Sequence, residues 1–175
     1  MPIKTIFLDR DGVINKEINY LHRIEDFEFI EGIFEACIHF KSLGYKIIVV
    51  TNQSGIARGY YSENDYQMLS NWMKNQFQTK NIDILDIFHC PHGPKSKCIC
   101  RKPKPGMLLK ALQKYDIDME KSWLIGDKET DIICANKAGI FNTVLVKSGH
   151  KINESPSKAK FILGTILDSN KVITS

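Results

Sequence analysis

The sequence predicts an α/β protein built as a three-layer, Rossmann-like, mostly parallel sheet with helices on both faces. Three observations carry that expectation. Short apolar runs rich in β-branched residues alternate with segments whose apolar side chains recur at helical spacing, the pattern of strands joined by crossover helices. No repeat, linker or low-complexity tract interrupts it, so 175 residues, 43% of them hydrophobic, fit one domain over 1–175. Acidic and hydroxyl side chains fall at the carboxyl ends of the runs, where open α/β sheets bind their ligands.

Residues 3–15, IKTIFLDRDGVIN, read as a buried strand that stops abruptly at Asp9, Asp11 and Gly12. Gly12 permits a sharp turn, which sends both aspartates out together at the strand's end. Taken alone, the pair fits an Asp-rich turn equally well. It does not fit an EF-hand, whose glycine is sixth in the loop and whose flanks are helices. Residues 31–43 have helical periodicity and stop at Gly44, a left-handed cap. YKIIVVT over 45–51 is a second strand ending in Thr51, followed by the polar loop NQSGIARG. Ser62 and Asp65 form a capping box, and Tyr66, Leu69, Trp72, Met73 and Phe77 mark one face of the next helix. ILDIFH at 84–89 is a strand. A cysteine-rich loop leads to Pro105, suited to a helix's first turn, and that helix runs to about Tyr115. SWLIGD (122–127), TDIICANKAG (130–139) and FNTVLV (141–146) read as strand, glycine-stopped helix and strand. Residues 147–158 read as a surface loop and 160–163 as an edge strand, and the last residues are expected to fray.

Composition narrows the function classes. A net charge of +4 suits small anionic ligands but falls short of a dedicated nucleic-acid binder, and no aromatic-basic platform is present. No apolar run reaches membrane-spanning length, and the first residues, MPIKTIFLD, lack a basic leader and a cleavage site, so a cytoplasmic protein without a membrane partner is expected. Five cysteines, three of them within 90–100, point in that compartment to a metal and not to disulfides. With no exposed apolar stripe or heptad, a monomer is expected.

Asp9, Asp11 and Asp127 form a carboxylate trio suited to Mg²⁺, which takes a few oxygen ligands and keeps waters and phosphate oxygens in its other positions. Lys102, in CRKPKPGM, adds positive charge from the other side. Phosphoryl transfer needs little more: an in-line nucleophile, neutralised equatorial oxygens and a proton for the leaving oxygen. GIARG lacks the spacing of a Walker loop.

DRDGV, the threonine closing IIVVT, the lysine of RKPKPG and GDKETD resemble, in order, the four motifs of the haloacid dehalogenase superfamily of phosphatases. The resemblance implies that Asp9 is a nucleophile forming an aspartyl-phosphate and that Asp11 protonates the leaving group and then activates water. It further implies that Asp9, the Asp11 backbone carbonyl and Asp127 hold Mg²⁺, while Thr51 and Lys102 bind the phosphoryl group. Asp131 would stand behind the metal ligands, or serve only as a helix N-terminal acid favoured by the macrodipole. TNQSGIARG, CPHGPKSKCICRKPKPGML and GDKETD are similar to the heptose bisphosphate phosphatase group, itself similar to histidinol-phosphate phosphatases.

That narrower resemblance, which runs to about residue 147, implies a phosphorylated sugar substrate hydrolysed at its 7-phosphate. Histidinol phosphate or another small phosphomonoester is the second reading, and a polynucleotide end the third. The pocket would be lined by Glu17, Ile18, Asn19, Tyr20, Asn52, Gln53, Ser54, Arg101 and Lys128, with Arg58 either joining them or standing as a solvated loop charge. About forty residues separate the first two motifs, too few for a cap domain beside the helix and strand they contain, so the site should be nearly capless.

Cys90, His92, Cys98 and Cys100, spaced C-x-H-x₅-C-x-C, are soft ligands matched to tetrahedral Zn²⁺. Four protein ligands make such a zinc structural. Because Arg101 and Lys102 follow the last ligand, the zinc would fix where those cations point. His89, within a strand, is expected to pack or face solvent; His22, His39 and His150 carry no partner spacing and are given no role. Cys37, Cys134, Trp72 and Trp123 read as core.

Overall fold

The computed structural model describes residues 1–151 and 157–175, and in it six strands form one sheet in which every pairing is parallel. The strands are β1 (Thr5–Leu8), β2 (Lys46–Asn52), β3 (Ile84–Cys90), β4 (Trp123–Gly126), β5 (Asn142–Val146) and β6 (Phe161–Leu163). Their order is β3-β2-β1-β4-β5-β6, so the chain builds outward from β1 in one direction and then in the other. The reversal falls between β1 and β4, whose carboxyl ends therefore border the crevice where such sheets take ligands. The central strands β1, β2 and β4 are buried almost throughout and are apolar runs because helices cover both faces, while the edge strands β3 and β6 are only half-buried.

Among the described residues four helices do the covering: α1 (Ile33–Ser42), α2 (Glu63–Thr79), α3 (Gly106–Lys114) and α4 (Glu129–Lys137). Side-chain alternation splits the core in two. Ile6, Leu8, Ile47, Val49 and Ile125 face α1 and α2 through Ile33, Phe40, Leu69, Met73 and Phe77. Phe7, Ile48, Val50 and Leu124 face α3 and α4 through Met107, Leu108, Ala111 and Ala135. The expected capping box closes α2: Asp65 N donates to Ser62 Oγ at 3.0 Å and Ser62 N to Asp65 Oδ2 at 2.8 Å. Pro105 lies just before α3 as its cap.

The carboxyl end is docked, contrary to the expected fraying. Ile166–Lys171 form a 3-10 turn with Ile166 and Ile173 fully buried, His39 Nε2 bonds Ile173 O at 2.8 Å, and Tyr45 Oη donates to Ser175 O at 2.5 Å. Two scattered isoleucines in a polar tail carry no periodicity, so this docking had no pattern to announce it. The loop expected at 147–158 falls partly outside the described residues. Between β1 and α1 the only helix or strand is one 3-10 turn, Ile24–Asp26, so no folded insert stands over the crevice. Among the described residues no helix is long and apolar enough to cross a membrane.

Candidate active site

The turn after β1 builds the centre of the site. Asp9 N bonds Ile125 O at 3.1 Å, carrying the β1–β4 ladder one residue past the strand, and Arg10 O then accepts from the N–H groups of Val13, Ile14 and Asn15. Gly12 has φ +89°, and a Cβ there would lie 2.2 Å from Asp127 Oδ2. Only glycine satisfies both the left-handed backbone and that approach.

Asp9, Asp127 and Asp131 bring a carboxylate oxygen each to within 4.8 Å of one another, all three buried. Lys102 enters from the far side. Its ammonium donates to Asp9 Oδ1 at 2.9 Å and Val50 O at 3.0 Å and pairs with Asp131 Oδ1 at 2.6 Å, using all three of its protons. Burial pushes the Asp9 carboxyl well above its ordinary value; Asp131 and Asp127 add to the rise and Lys102 opposes it. Burial and then Asp131 raise Asp127 to about 6. Burial alone would lower the Lys102 ammonium, but Asp131 and Asp9 outweigh it and hold the group above its usual value.

This cluster fits a hard divalent cation. Asp127 Oδ1 is buried and has no hydrogen-bond partner among the described residues, a costly state for a carboxylate oxygen that an oxygen-liganded cation would relieve. Asp131 was expected behind the metal ligands or as a helix-start acid; the structure sets it in the cluster itself, with Oδ1 on Lys102, while Oδ2 accepts from the N–H groups of Asp127 and Lys128 at 3.2 and 3.1 Å. The turn that caps α4 also aims Asp131 at Lys102.

The Asp11 side chain points away from that cluster. Its Oδ1 accepts from Arg10 Nη2 and Asn15 Nδ2, each at 3.0 Å, and its Oδ2 from Gln53 Nε2 at 3.1 Å. Gln53 Nε2 also donates to Thr51 Oγ1 at 2.8 Å, while Gln53 Oε1 accepts from Tyr61 Oη at 2.5 Å. Tyr61, Gln53, Thr51 and Asp11 therefore form one network joining the ends of β1 and β2. Arg10 is buried, and its Nη2 also donates to Leu21 O at 3.1 Å. Burial would lower the guanidinium, but Asp11 reverses the effect.

Above these groups opens a cleft of about 230 Å³. Asp9, Asp11 and Lys102 line it together with Glu17, Ile18, Asn19, Tyr20, Asn52, Gln53, Ser54, Arg101 and Lys128, so every residue expected at the pocket wall is brought to one opening. Arg58 also lines it, its guanidinium 5.7 Å from the centre of the Tyr20 ring. Thr51 and Asp127, both fully buried, lie beneath. Burial raises the Glu17 carboxyl, and Asp11 raises it further. Sequence reasoning missed Arg10, Asn15, Tyr61 and His150. Arg10 had a visible signal, an arginine between two acids at the end of a core strand. His150 had none, since its place depends on the path of the loop after β5.

A second cluster lies where β3 leaves the sheet. Cys90 Sγ is 3.4 Å from His92 Nδ1 and 3.8 Å from Cys98 Sγ, and His92 Nδ1 is 3.3 Å from Cys100 Sγ. Tetrahedral zinc with Zn–S near 2.3 Å sets S···S edges of about 3.8 Å and S···N edges of about 3.6 Å, so this donor set fits zinc. The Cys90–Cys100 edge, at 2.9 Å, is tighter than that. All the cysteines are free thiols. His89 stands apart, 2.6 Å from Glu63 and stacked on Tyr66. The cluster is tied to the cleft, because Arg101 Nη1 donates to His92 O at 3.2 Å and Lys102 N to Asn52 Oδ1 at 3.1 Å.

A parallel sheet with paired aspartates after β1, a buried lysine opposite and a carboxylate cluster after β4 defines a haloacid dehalogenase-like phosphatase, an enzyme that hydrolyses phosphoric monoesters. The chain belongs to this family, in the branch of the heptose-1,7-bisphosphate 7-phosphatases. A HAD-hydrolase-like family model matches residues 99–169. The D-glycero-alpha-D-manno-heptose-1,7-bisphosphate 7-phosphatase of Photorhabdus laumondii is 49% identical, over 98% of this chain and 97% of its own. The D-glycero-beta-D-manno-heptose-1,7-bisphosphate 7-phosphatase of Pasteurella multocida is 45% identical, over 97% and 96%. The crystal structure of a D,D-heptose 1,7-bisphosphate phosphatase from B. bronchiseptica, complexed with magnesium and phosphate, superposes with a TM-score of 0.84 at 27% identity, covering 98% of each chain.

Proposed function

We propose that this chain is a Mg²⁺-dependent phosphatase that removes the 7-phosphate of D-glycero-D-manno-heptose 1,7-bisphosphate through an aspartyl-phosphate on Asp9. The observation that carries the reading is the Asp9–Lys102 contact of 2.9 Å at the floor of a cleft that also exposes Asp11. The names and extent of the relatives support the substrate, and the neighbour crystallised with magnesium and phosphate supports the cation. Asp9, Asp127 and the Asp11 carbonyl would hold Mg²⁺, with Asp131 beside them; when bound it neutralises charge on the phosphoryl oxygens.

The chemistry belongs to the chain's own groups. A carboxylate oxygen of Asp9 attacks phosphorus, the bond from phosphorus to the sugar oxygen breaks, and Asp11 gives that oxygen its proton. Asp11, then ionised, takes a proton from water as the water oxygen attacks the aspartyl-phosphate. The bond from Asp9 to phosphorus breaks, releasing inorganic phosphate and restoring the carboxylate. Lys102 and Arg10 N, both donating to Asp9 Oδ1, fix the plane of the nucleophile. Thr51 and Lys102 would meet the phosphoryl group, Lys102 by exchanging one of its protein contacts for a phosphoryl oxygen. Glu17, Ile18, Asn19, Tyr20, Asn52, Gln53 and Ser54 receive the sugar, with Arg101, Lys128 and Arg58 facing its second phosphate. Zinc on Cys90, His92, Cys98 and Cys100 is structural and sets Arg101 through the His92 carbonyl. The reading includes one domain, a monomer and a cytoplasmic location.

The test is Asp9→Asn, because an amide in the same place cannot attack phosphorus. Phosphate release should vanish, and acid-quenched wild-type enzyme should carry a phosphoryl group on Asp9 by mass spectrometry. Near-normal turnover in the variant would refute the covalent route.

A further inference from the structure

We infer that His150 is a positioning residue for the divalent cation: it pins one oxygen of Asp127 so that the other faces the carboxylate cluster. After β5 the chain turns back over the β1 turn, and Ser148 Oγ donates to Gly12 O at 3.1 Å. His150 N then donates to Asp127 Oδ2 at 3.0 Å, and its ring Nδ1 contacts the same oxygen, an arrangement that places the ring proton on Nδ1. Gly149 fits closely between them, since a Cβ there would lie 2.2 Å from Asp127 Oδ2. Oδ2 is thus held by a backbone and a side-chain donor, while Oδ1 is buried without a partner.

A carboxylate turns about its last bond, so holding one oxygen fixes where the other points. Hydrogen-bond partners of metal ligands commonly govern metal affinity in this way. The imidazole also reaches toward the wall of the cleft, with Nε2 3.7 Å from Glu17 Oε1. His150 is a third exposed and sits outside the apolar core, so its loss should loosen the cluster without unfolding the chain.

The inference rests on the Mg²⁺ reading above, and the experiment separates the two. Zinc-loaded protein is titrated with Mg²⁺ by calorimetry in the absence of substrate, alongside His150→Ala and His150→Asn, with melting recorded in Mg²⁺-free buffer without chelator. His150→Ala should weaken Mg²⁺ binding about 10- to 100-fold, the usual cost of losing a ligand's hydrogen-bond partner. His150→Asn, whose amide nitrogen occupies nearly the place of Nδ1, should recover most of that loss, and all three zinc-loaded proteins should melt alike without Mg²⁺. Equal or tighter binding by His150→Ala overturns the inference, as does an Asn variant as weak as the Ala variant. A fall in melting temperature with unchanged Mg²⁺ affinity also overturns it, by leaving a purely structural contact. If wild-type protein binds no Mg²⁺, the proposed metal dependence itself fails.

Discussion

Replacing Lys102 with methionine keeps the buried stem and removes the charge that holds the site together. The ammonium spends its three protons on Asp9, Asp131 and Val50, at 2.9, 2.6 and 3.0 Å, while only 5% exposed. Without it, two buried carboxylates face each other and a third, Asp127, with no counter-charge. Removing one partner of a buried ion pair costs about 3–5 kcal/mol. At about 2–4 °C per kcal/mol for a chain of this size, the melting temperature should fall by roughly 6–20 °C. The loss has a pH signature. Lys102 is the main pull keeping the Asp9 carboxyl from rising further, so without it that carboxyl titrates still higher above its unfolded value. A carboxyl raised in the folded state destabilises when ionised and ceases to do so once protonated, so the deficit should shrink as pH falls from about 8 to 5. Adding Asp131→Asn should restore much of the stability and none of the turnover. Thermal denaturation across pH, paired with phosphate release, reads both. A methionine variant that melts like wild type, or whose deficit is flat with pH, would show that the ammonium does not hold these carboxylates.

Other consequences follow from the same geometry. In metal-free protein, Asp127 titrates near 6 against an unfolded value near 3.8, so stability should rise as pH drops through 6; Mg²⁺, which must displace that proton, should bind more weakly at pH 5.5 than at 7.5, as calorimetry would reveal. Tyr61→Phe leaves the buried Gln53 amide oxygen without its donor; a loss of about 1–3 kcal/mol in chemical denaturation is expected, with kcat falling more than KM changes as Asp11 loses its fixed partner. Cys98→Ser should lower zinc content by mass spectrometry and raise KM through Arg101, while a zinc-free variant with unaltered KM would detach the cluster from the cleft. Gly12→Ala should abolish Mg²⁺ binding, since the added carbon meets Asp127 Oδ2 at 2.2 Å; wild-type affinity would contradict that contact.

Much of this was legible in the sequence because it rests on local rules. Strands buried on both faces have to be apolar runs, a capping box has a fixed spacing, and polar groups of an open parallel sheet gather at strand ends, so Asp9, Thr51 and Asp127 could be set at one edge before any coordinate, whereas Lys102, in the loop before α3, was marked by its resemblance to a family motif. The geometry of the cluster was less legible. Asp131 reads either as an acid behind the metal ligands or as a helix-start acid, and its pairing with Lys102 appears only when the turns after β4 and before α3 meet. Arg10 was masked by its two acidic neighbours, which drew the chemical reading to themselves. His150 and the docked tail lie beyond the last motif, where long-range packing alone decides the path of the chain.

Whether Asp9 acts at the 7-phosphate of a heptose bisphosphate is read by phosphorus NMR of the hydrolysis. With Mg²⁺ and D-glycero-D-manno-heptose 1,7-bisphosphate, the 7-phosphate resonance should disappear into inorganic phosphate while the anomeric 1-phosphate persists, and Asp9→Asn should leave both signals standing. Loss of the anomeric phosphate first, or faster release from histidinol phosphate under the same conditions, would contradict it.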